Sequence, residues 1–259
     1  MSTSSSVIVE RLRAAGCVFA EAEERLLRNA ARTPDELSRM VEQRAAGAPI
    51  EHVLGWAEFC GLRIGLEPGV FVPRRRTEHL VRRAVALAPG GRFAAVDLCC
   101  GSGAVGAALA AALDGVELSA VDIDPVAVRC ARRNLPSDRA RVYQGDLFEP
   151  LPATLQGRVR LLVANVPYVP TAEIGLLPSE ARVHEPAVAL DGGADGLEVL
   201  RRVASAAPRW LAPGGHLLIE TSNHQAPRAA DAMAAGGLVP RVDHCADLEA
   251  TVVIGNRAG

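Results

Sequence analysis

The chain has 259 residues, 49% of them apolar and 22% charged, with a net charge of −2. That length accommodates one large domain or a main domain with a small companion, and near-neutrality excludes the global field of a nucleic-acid or anionic-membrane binder. No apolar run approaches the roughly twenty residues a membrane helix needs, and the six cysteines show no C-x-x-C pair or histidine cluster, so no metal site is expected and the thiols read as reduced, in a cytoplasmic protein.

The polar start, Met1 to Ser6, has no signal-peptide character. Residues 7–15 are apolar-periodic and stop at Gly16, and residues 21–31 are rich in helix formers. Thr33-Pro34-Asp35-Glu36 is a capping box with proline at the first helical position, and it opens a helix running to Gly47. Residues 56–72 carry short alternating runs and the turn Pro68-Gly69, a hairpin-like connector. Residues 77–88 form a helix closed by Pro89-Gly90-Gly91. From Phe93 onward, strand-like runs at 93–98, 116–122, 141–143, 159–164 and 216–221 alternate with helical runs at 104–113, 125–134, 196–211 and 225–235. Residues 238–242 and 250–255 close the chain as two short strands. The alternation predicts an α/β fold with a parallel sheet covered on both faces.

Two loops carry the chemistry. Asp97-Leu98-Cys99-Cys100-Gly101-Ser102-Gly103, followed by Gly106, ends one strand and opens a helix, as a nucleotide loop does. Asp122, nineteen residues after Gly103, ends the next strand, where a carboxylate accepts both ribose hydroxyls. Gln144-Gly145-Asp146-Leu147 follows the third strand, at the height of an adenine edge. These features fit a dinucleotide or a methyl donor equally. Asn165-Val166-Pro167-Tyr168 separates the two, because hydride transfer has no use for it. It follows the fourth strand, at the switch point beside the cofactor's reactive end. An asparagine oxygen and a backbone carbonyl accept the two N–H bonds of a planar nitrogen, and a tyrosine face stacks on it.

With these loops, Gly47-Ala48-Pro49, Gly69 to Arg74 with Thr77-Glu78, and Glu185-Pro186 with Gly192-Gly193 and Asp195-Gly196-Leu197 stand in an order that resembles the HemK-like release-factor glutamine methyltransferases. The resemblance covers roughly Arg44 to Gly255. It implies a class I S-adenosylmethionine-dependent methyltransferase fold, Rossmann-like, with a mostly parallel seven-stranded sheet. It also implies a small helical domain over residues 1–55, a linker over 56–76 and a catalytic domain over 77–259. The implied reaction is methyl transfer from S-adenosylmethionine to the glutamine of a Gly-Gly-Gln motif, with a peptide chain release factor as partner. Asn165, Val166, Pro167 and Tyr168 are then the reaction loop. Asp97, Cys100, Gly101, Ser102 and Gly103 cradle the cofactor with Asp122 and Ile123; Asp146 and Leu147 meet its adenine; Phe71, Arg74 and Thr77 close over it. Glu185 is read as a structural hydrogen-bonding residue. Three departures stand out: Val166 replaces the loop's first proline, Cys99-Cys100 a Gly-Thr pair, and Arg75-Arg76 a Pro-Asp or Pro-Glu pair. Losing the proline leaves the loop less rigid, by about 1 kcal/mol of backbone entropy. The helical N-terminal part is also shorter than the family's recognition domain. Other readings are an N-methyltransferase acting on an amino group of a nucleic acid or small molecule, and a weakly catalytic cofactor-binding partner protein. Net charge and scarce aromatics argue against stable nucleic-acid binding.

Overall fold

The computed structural model describes residues 4–259; Met1, Ser2 and Thr3 of the polar start lie outside the described residues. Four helices come first: α1 (Ser5–Ala14), α2 (Ala20–Ala30), α3 (Pro34–Ala45) and the short α4 (Ile50–Leu54). Thr33 caps α3 as the sequence predicts, while the reciprocal bond of the capping box goes one residue further back. Thr33 Oγ1 accepts the Glu36 N–H at 3.1 Å, and the Glu36 carboxylate reaches back to the Arg32 N–H at 2.7 Å. Ile8, Leu12, Leu27, Leu37, Met40 and Val41 give these helices a small core of their own.

The hairpin β1 (Trp56–Phe59) and β2 (Leu62–Gly65) reverses at Cys60-Gly61, both with positive φ (50° and 74°), as a two-residue hairpin turn requires. Pro68-Gly69 makes a second turn just beyond it, with Val70 N–H donating to the Glu67 carbonyl. A single 3-10 turn, Arg75–Thr77, then leads into α5 (Glu78–Leu87).

The remaining elements are β3 (Phe93–Leu98), α6 (Ala104–Ala112), β4 (Val116–Asp122), α7 (Pro125–Asn134), β5 (Ala140–Gln144), β6 (Val159–Ala164), α8 (Ser179–His184), α9 (Glu198–Trp210), β7 (Leu211–Thr221), α10 (Ala226–Ala235), β8 (Val239–Cys245) and β9 (Ala250–Asn256). One seven-stranded sheet results, in the order β5-β4-β3-β6-β7-β9-β8. The first five strands are parallel, and β9 runs antiparallel to β7 and β8. Alternation along the central strands divides the core. Leu161, Val163 and Leu218 pack with α5 and α6, while Leu162, Ala164, Leu217 and Ile219 pack with α9 and α10. β3 and β6 are neighbours although they are not consecutive, so the sheet's switch point lies between them. No helix among the described residues is long and apolar enough to cross a membrane.

Candidate active site

The carboxyl ends of β3, β4 and β6 open into one cavity of about 1040 Å³. It brings together every candidate residue read from the sequence except Gly103, whose missing side chain serves packing instead: a Cβ there would stand 3.1 Å from that of Ala131 on α7.

On the β3 side, Cys99, Gly101 and Gly103 all adopt positive φ (55°, 54° and 79°), which turns the chain sharply into α6. A Cβ on Gly101 would meet nothing within 4 Å, so this backbone faces open cavity. Two acids, buried Asp97 and half-buried Asp122, hold the turn. Asp97, 1% exposed, accepts the Gly106 N–H at 2.9 Å, and burial lifts its pKa to about 7. Asp122 accepts the N–H of Gly101 at 2.8 Å and of Asp124 at 2.9 Å, and burial raises its pKa as well. Asp124, not Asp122, caps α7, accepting from Val126 at 2.8 Å. Cys100 and Ser102 line the wall; burial and the carboxylates of Asp97 and Asp122 keep the Cys100 thiol neutral. Further out, Ile123 is exposed at the rim, Leu147 (φ 49°) lies against the cavity, and Asp146 is ion-paired with Arg202 at 2.5 Å.

On the β6 side, Asn165 lines the cavity; its Nδ2 donates to Thr77 Oγ1 at 3.4 Å, and its Oδ1 has no partner among the described residues. Val166 is 1% exposed and packs into the core, and its carbonyl accepts no backbone hydrogen bond among the described residues. Tyr168 is held at both ends, its hydroxyl by the Arg76 guanidinium and its carbonyl by Gln225 Nε2 at 2.9 Å. Burial pushes the Tyr168 pKa up, with the nearby Glu220 adding to the rise. Gly192 and Gly196 let another segment lie against this loop: a Cβ on Gly192 would stand 2.8 Å from the Pro167 carbonyl oxygen, and one on Gly196 only 2.3 Å from that of Tyr168.

The linker closes the cavity. Arg74 lies over the Phe71 ring at 4.8 Å and donates to both oxygens of buried Glu185 at 2.6 Å; the Val72 N–H adds a third bond to that carboxylate at 3.1 Å. Glu185 thus ties the linker to the segment after the reaction loop. Sequence reasoning missed Gln225 and Glu220, because isolated polar residues on a helix start or a buried strand carry no motif. The one readable signal was an acid, Glu220, directly after the apolar run Leu217-Leu218-Ile219.

These residues fit S-adenosylmethionine: an open glycine backbone, a carboxylate at the end of the second sheet strand, and apolar Ile123 and Leu147 beside it. Fold and cavity define a Rossmann-like methyltransferase that depends on that cofactor. The family profile described as "Methyltransferase small domain" matches residues 67–178. A crystal structure of a methyltransferase from Pyrococcus furiosus shares the fold, with a TM-score of 0.57 at 16% identity over 88% of this chain and 100% of that one. The chain belongs to the release factor glutamine methyltransferase family. It is 41% identical over 198 residues to the release factor glutamine methyltransferase of Geobacter sulfurreducens, covering 74% of this chain and 68% of that protein. It is also 39% identical over 200 residues to a 4-amino-L-phenylalanine/4-methylamino-L-phenylalanine methyltransferase of Streptomyces pristinaespiralis, covering 74% of this chain and 67% of that protein.

Proposed function

We propose that this protein methylates the side-chain amide nitrogen of a protein glutamine, that of a Gly-Gly-Gln motif in a peptide chain release factor. The observation that carries this reading is the supply of acceptors without a base. Asn165 Oδ1 and the Val166 carbonyl are uncommitted. Every carboxylate lining the cavity is engaged: Asp97, Asp122, Asp124 and Glu198 by backbone N–H groups, Asp146 and Glu180 by arginines, Asp191 by Thr171 and Gly193. An amide nitrogen suits such a site. Its lone pair is delocalised, so it must be oriented rather than deprotonated, and its proton becomes acidic only as the methyl group arrives.

In this reading Asn165 Oδ1 accepts one amide N–H and the Val166 carbonyl the other. Pro167 stiffens the loop, and the Tyr168 ring flanks the planar group. Asp97, Cys100, Gly101, Ser102 and Gly103 form the cofactor turn, Asp122 and Ile123 hold the ribose side, Asp146 and Leu147 the adenine side, and Phe71, Arg74 and Thr77 the roof. The bound cofactor supplies a sulfonium-activated methyl group. A second reading, an aromatic amine on a free amino acid, is favoured by Arg76: where the family carries an acid, this chain sets a guanidinium against Tyr168. The test is incubation with labelled cofactor and either release factors from the same source or 4-amino-L-phenylalanine, with mass-spectrometric mapping. Label on the Gly-Gly-Gln glutamine, abolished by Asn165→Ala, is the expected result. Label only on the free amino acid selects the second reading, and full transfer by Asn165→Ala rejects the loop assignment.

A further inference from the structure

Asn165 can accept a substrate N–H only if its oxygen, and not its nitrogen, faces the cavity. The two ends of a side-chain amide have nearly the same shape, so packing alone does not choose between them. We propose that Thr77 and Glu220 are positioning residues that fix the polarity of the Asn165 amide; the inference deepens the reading of Asn165 as substrate acceptor and rests on it for its consequence in catalysis.

The placement follows from the sheet. β6 and β7 pair in parallel with Ala164 opposite Ile219, so Asn165 and Glu220 follow at neighbouring positions. Alternation puts both in the row of Val163 and Leu218, which faces α5. Thr77, the residue before α5, drops onto that row. It is 2% exposed, and Glu220 is 1% exposed.

The unpaired groups around Thr77 favour one arrangement. Glu220 Oε1 accepts from Arg76 Nε at 3.3 Å, and Oε2 is buried with no hydrogen-bond partner among the described residues. The Thr77 hydroxyl lies beside this carboxylate and, together with the Arg76 charge, counters part of the rise that burial imposes on its pKa. A hydroxyl has one proton, and a small turn of the Thr77 side chain supplies it to Oε2. Thr77 Oγ1 then offers Asn165 only lone pairs, which the Nδ2 amino group can answer and Oδ1 cannot. The reversed amide would set two acceptors face to face in a buried site, an arrangement that leaves both unsatisfied. The chain of donors therefore runs from Asn165 through Thr77 to Glu220 and leaves Oδ1 to the cavity. It also gives the buried carboxylate a role that the cofactor cavity, which Glu220 does not line, does not.

The test begins with the protein alone. The 15N side-chain amide signals of Asn165, identified by their loss in Asn165→Ala, are expected to exchange slowly in the parent protein and in Thr77→Ser. In Thr77→Val, which keeps the shape and removes the hydroxyl, they should exchange faster and shift. The kinetic arm uses a release factor as acceptor. Thr77→Val and Glu220→Gln should lower kcat by roughly tenfold, the size of one oriented hydrogen bond. The dissociation constant of Glu220→Gln for S-adenosylmethionine, read by calorimetry, should stay within about twofold of the parent's, because Glu220 does not line the cavity, and Thr77→Ser should keep the parent rate. Unchanged Asn165 signals in Thr77→Val overturn the proposal. So does a loss of cofactor affinity in Glu220→Gln that matches its loss of rate, which would make the effect one of cofactor binding and not of amide orientation. Failure of the parent reading looks different: Asn165→Ala would then keep full transfer, whatever the amide signals show.

Discussion

Val166 stands where the family's reaction loop carries its first proline, and it trades one source of rigidity for another. The missing ring releases about 1 kcal/mol of backbone entropy. Burying a valine side chain, here 1% exposed, returns about 1.5 kcal/mol or more. Packing thus anchors the loop here without the ring, a contribution visible only once the side chain's burial is known. Asp97 shows a second effect of burial. Its carboxyl, ordinarily near 3.8, is lifted to about 7, so the folded chain holds a proton that the unfolded chain has already released. Its contribution to stability is full below about pH 4 and is lost as the pH rises through about 7. Asp97→Asn keeps an oxygen for the Gly106 N–H and removes the titration. The parent protein's thermal midpoint is therefore expected to fall over that window more steeply than the variant's; equal slopes would contradict the argument.

At the scale of elements, the segment from Val169 to Gly196 is a strap pinned along the reaction loop. Val169 N–H donates to the Leu190 carbonyl at 3.0 Å, Gly192 N–H to the Val169 carbonyl at 2.8 Å, and Glu185 is clamped to Arg74. Gly196 allows the approach twice over, with φ of +73° and no room for a side chain. Gly196→Ala is therefore expected to push the Tyr168 backbone away and break its bond to Gln225, lowering kcat by tenfold or more while far-ultraviolet circular dichroism stays unchanged, roughly the effect of about 1 Å of misplacement. A variant with normal kcat would show that the loop's position is set elsewhere. The strap marks where sequence reading stopped. The strands at 93–98, 116–122 and 159–164 and the capped start of α3 are legible because periodicity and capping chemistry are local. α4 and α8 have five and six residues, too short for a period, and α8 is held by a distant ion pair, Arg44 to Glu180, that no local pattern records. The loops of the site were legible as motifs, but their support was not, since Glu220 and Gln225 act through contacts more than fifty residues away along the chain.

For the whole molecule, one guanidinium joins the helical N-terminal unit to the roof of the cavity. Arg44 donates to both oxygens of buried Glu23, at 2.6 and 3.1 Å, and to Glu180 on α8 at 2.5 Å. Burial opposes its charge, but the two carboxylates outweigh this and hold it firmly protonated. Arg44→Met would leave Glu23 buried without its counter-charge, a loss of about 3–5 kcal/mol for such a pair. Hydrogen exchange should then quicken in α1 to α3 while the central strands stay protected, and Glu23→Gln in the same chain should recover part of the loss. Uniform quickening through the sheet would mean that the helical unit and the sheet unfold as one body.

The turn after β3 is closed by the chain's own Asp122 carboxylate, which grips Gly101 and Asp124. A cavity wall held by hydrogen bonds within the protein asks little ordering of the chain when a small molecule enters. Capture should then behave as a lock receives a key: its heat-capacity change should reflect little more than the apolar surface of Ile123 and Leu147 that the ligand covers, without the larger signature of a loop folding around it.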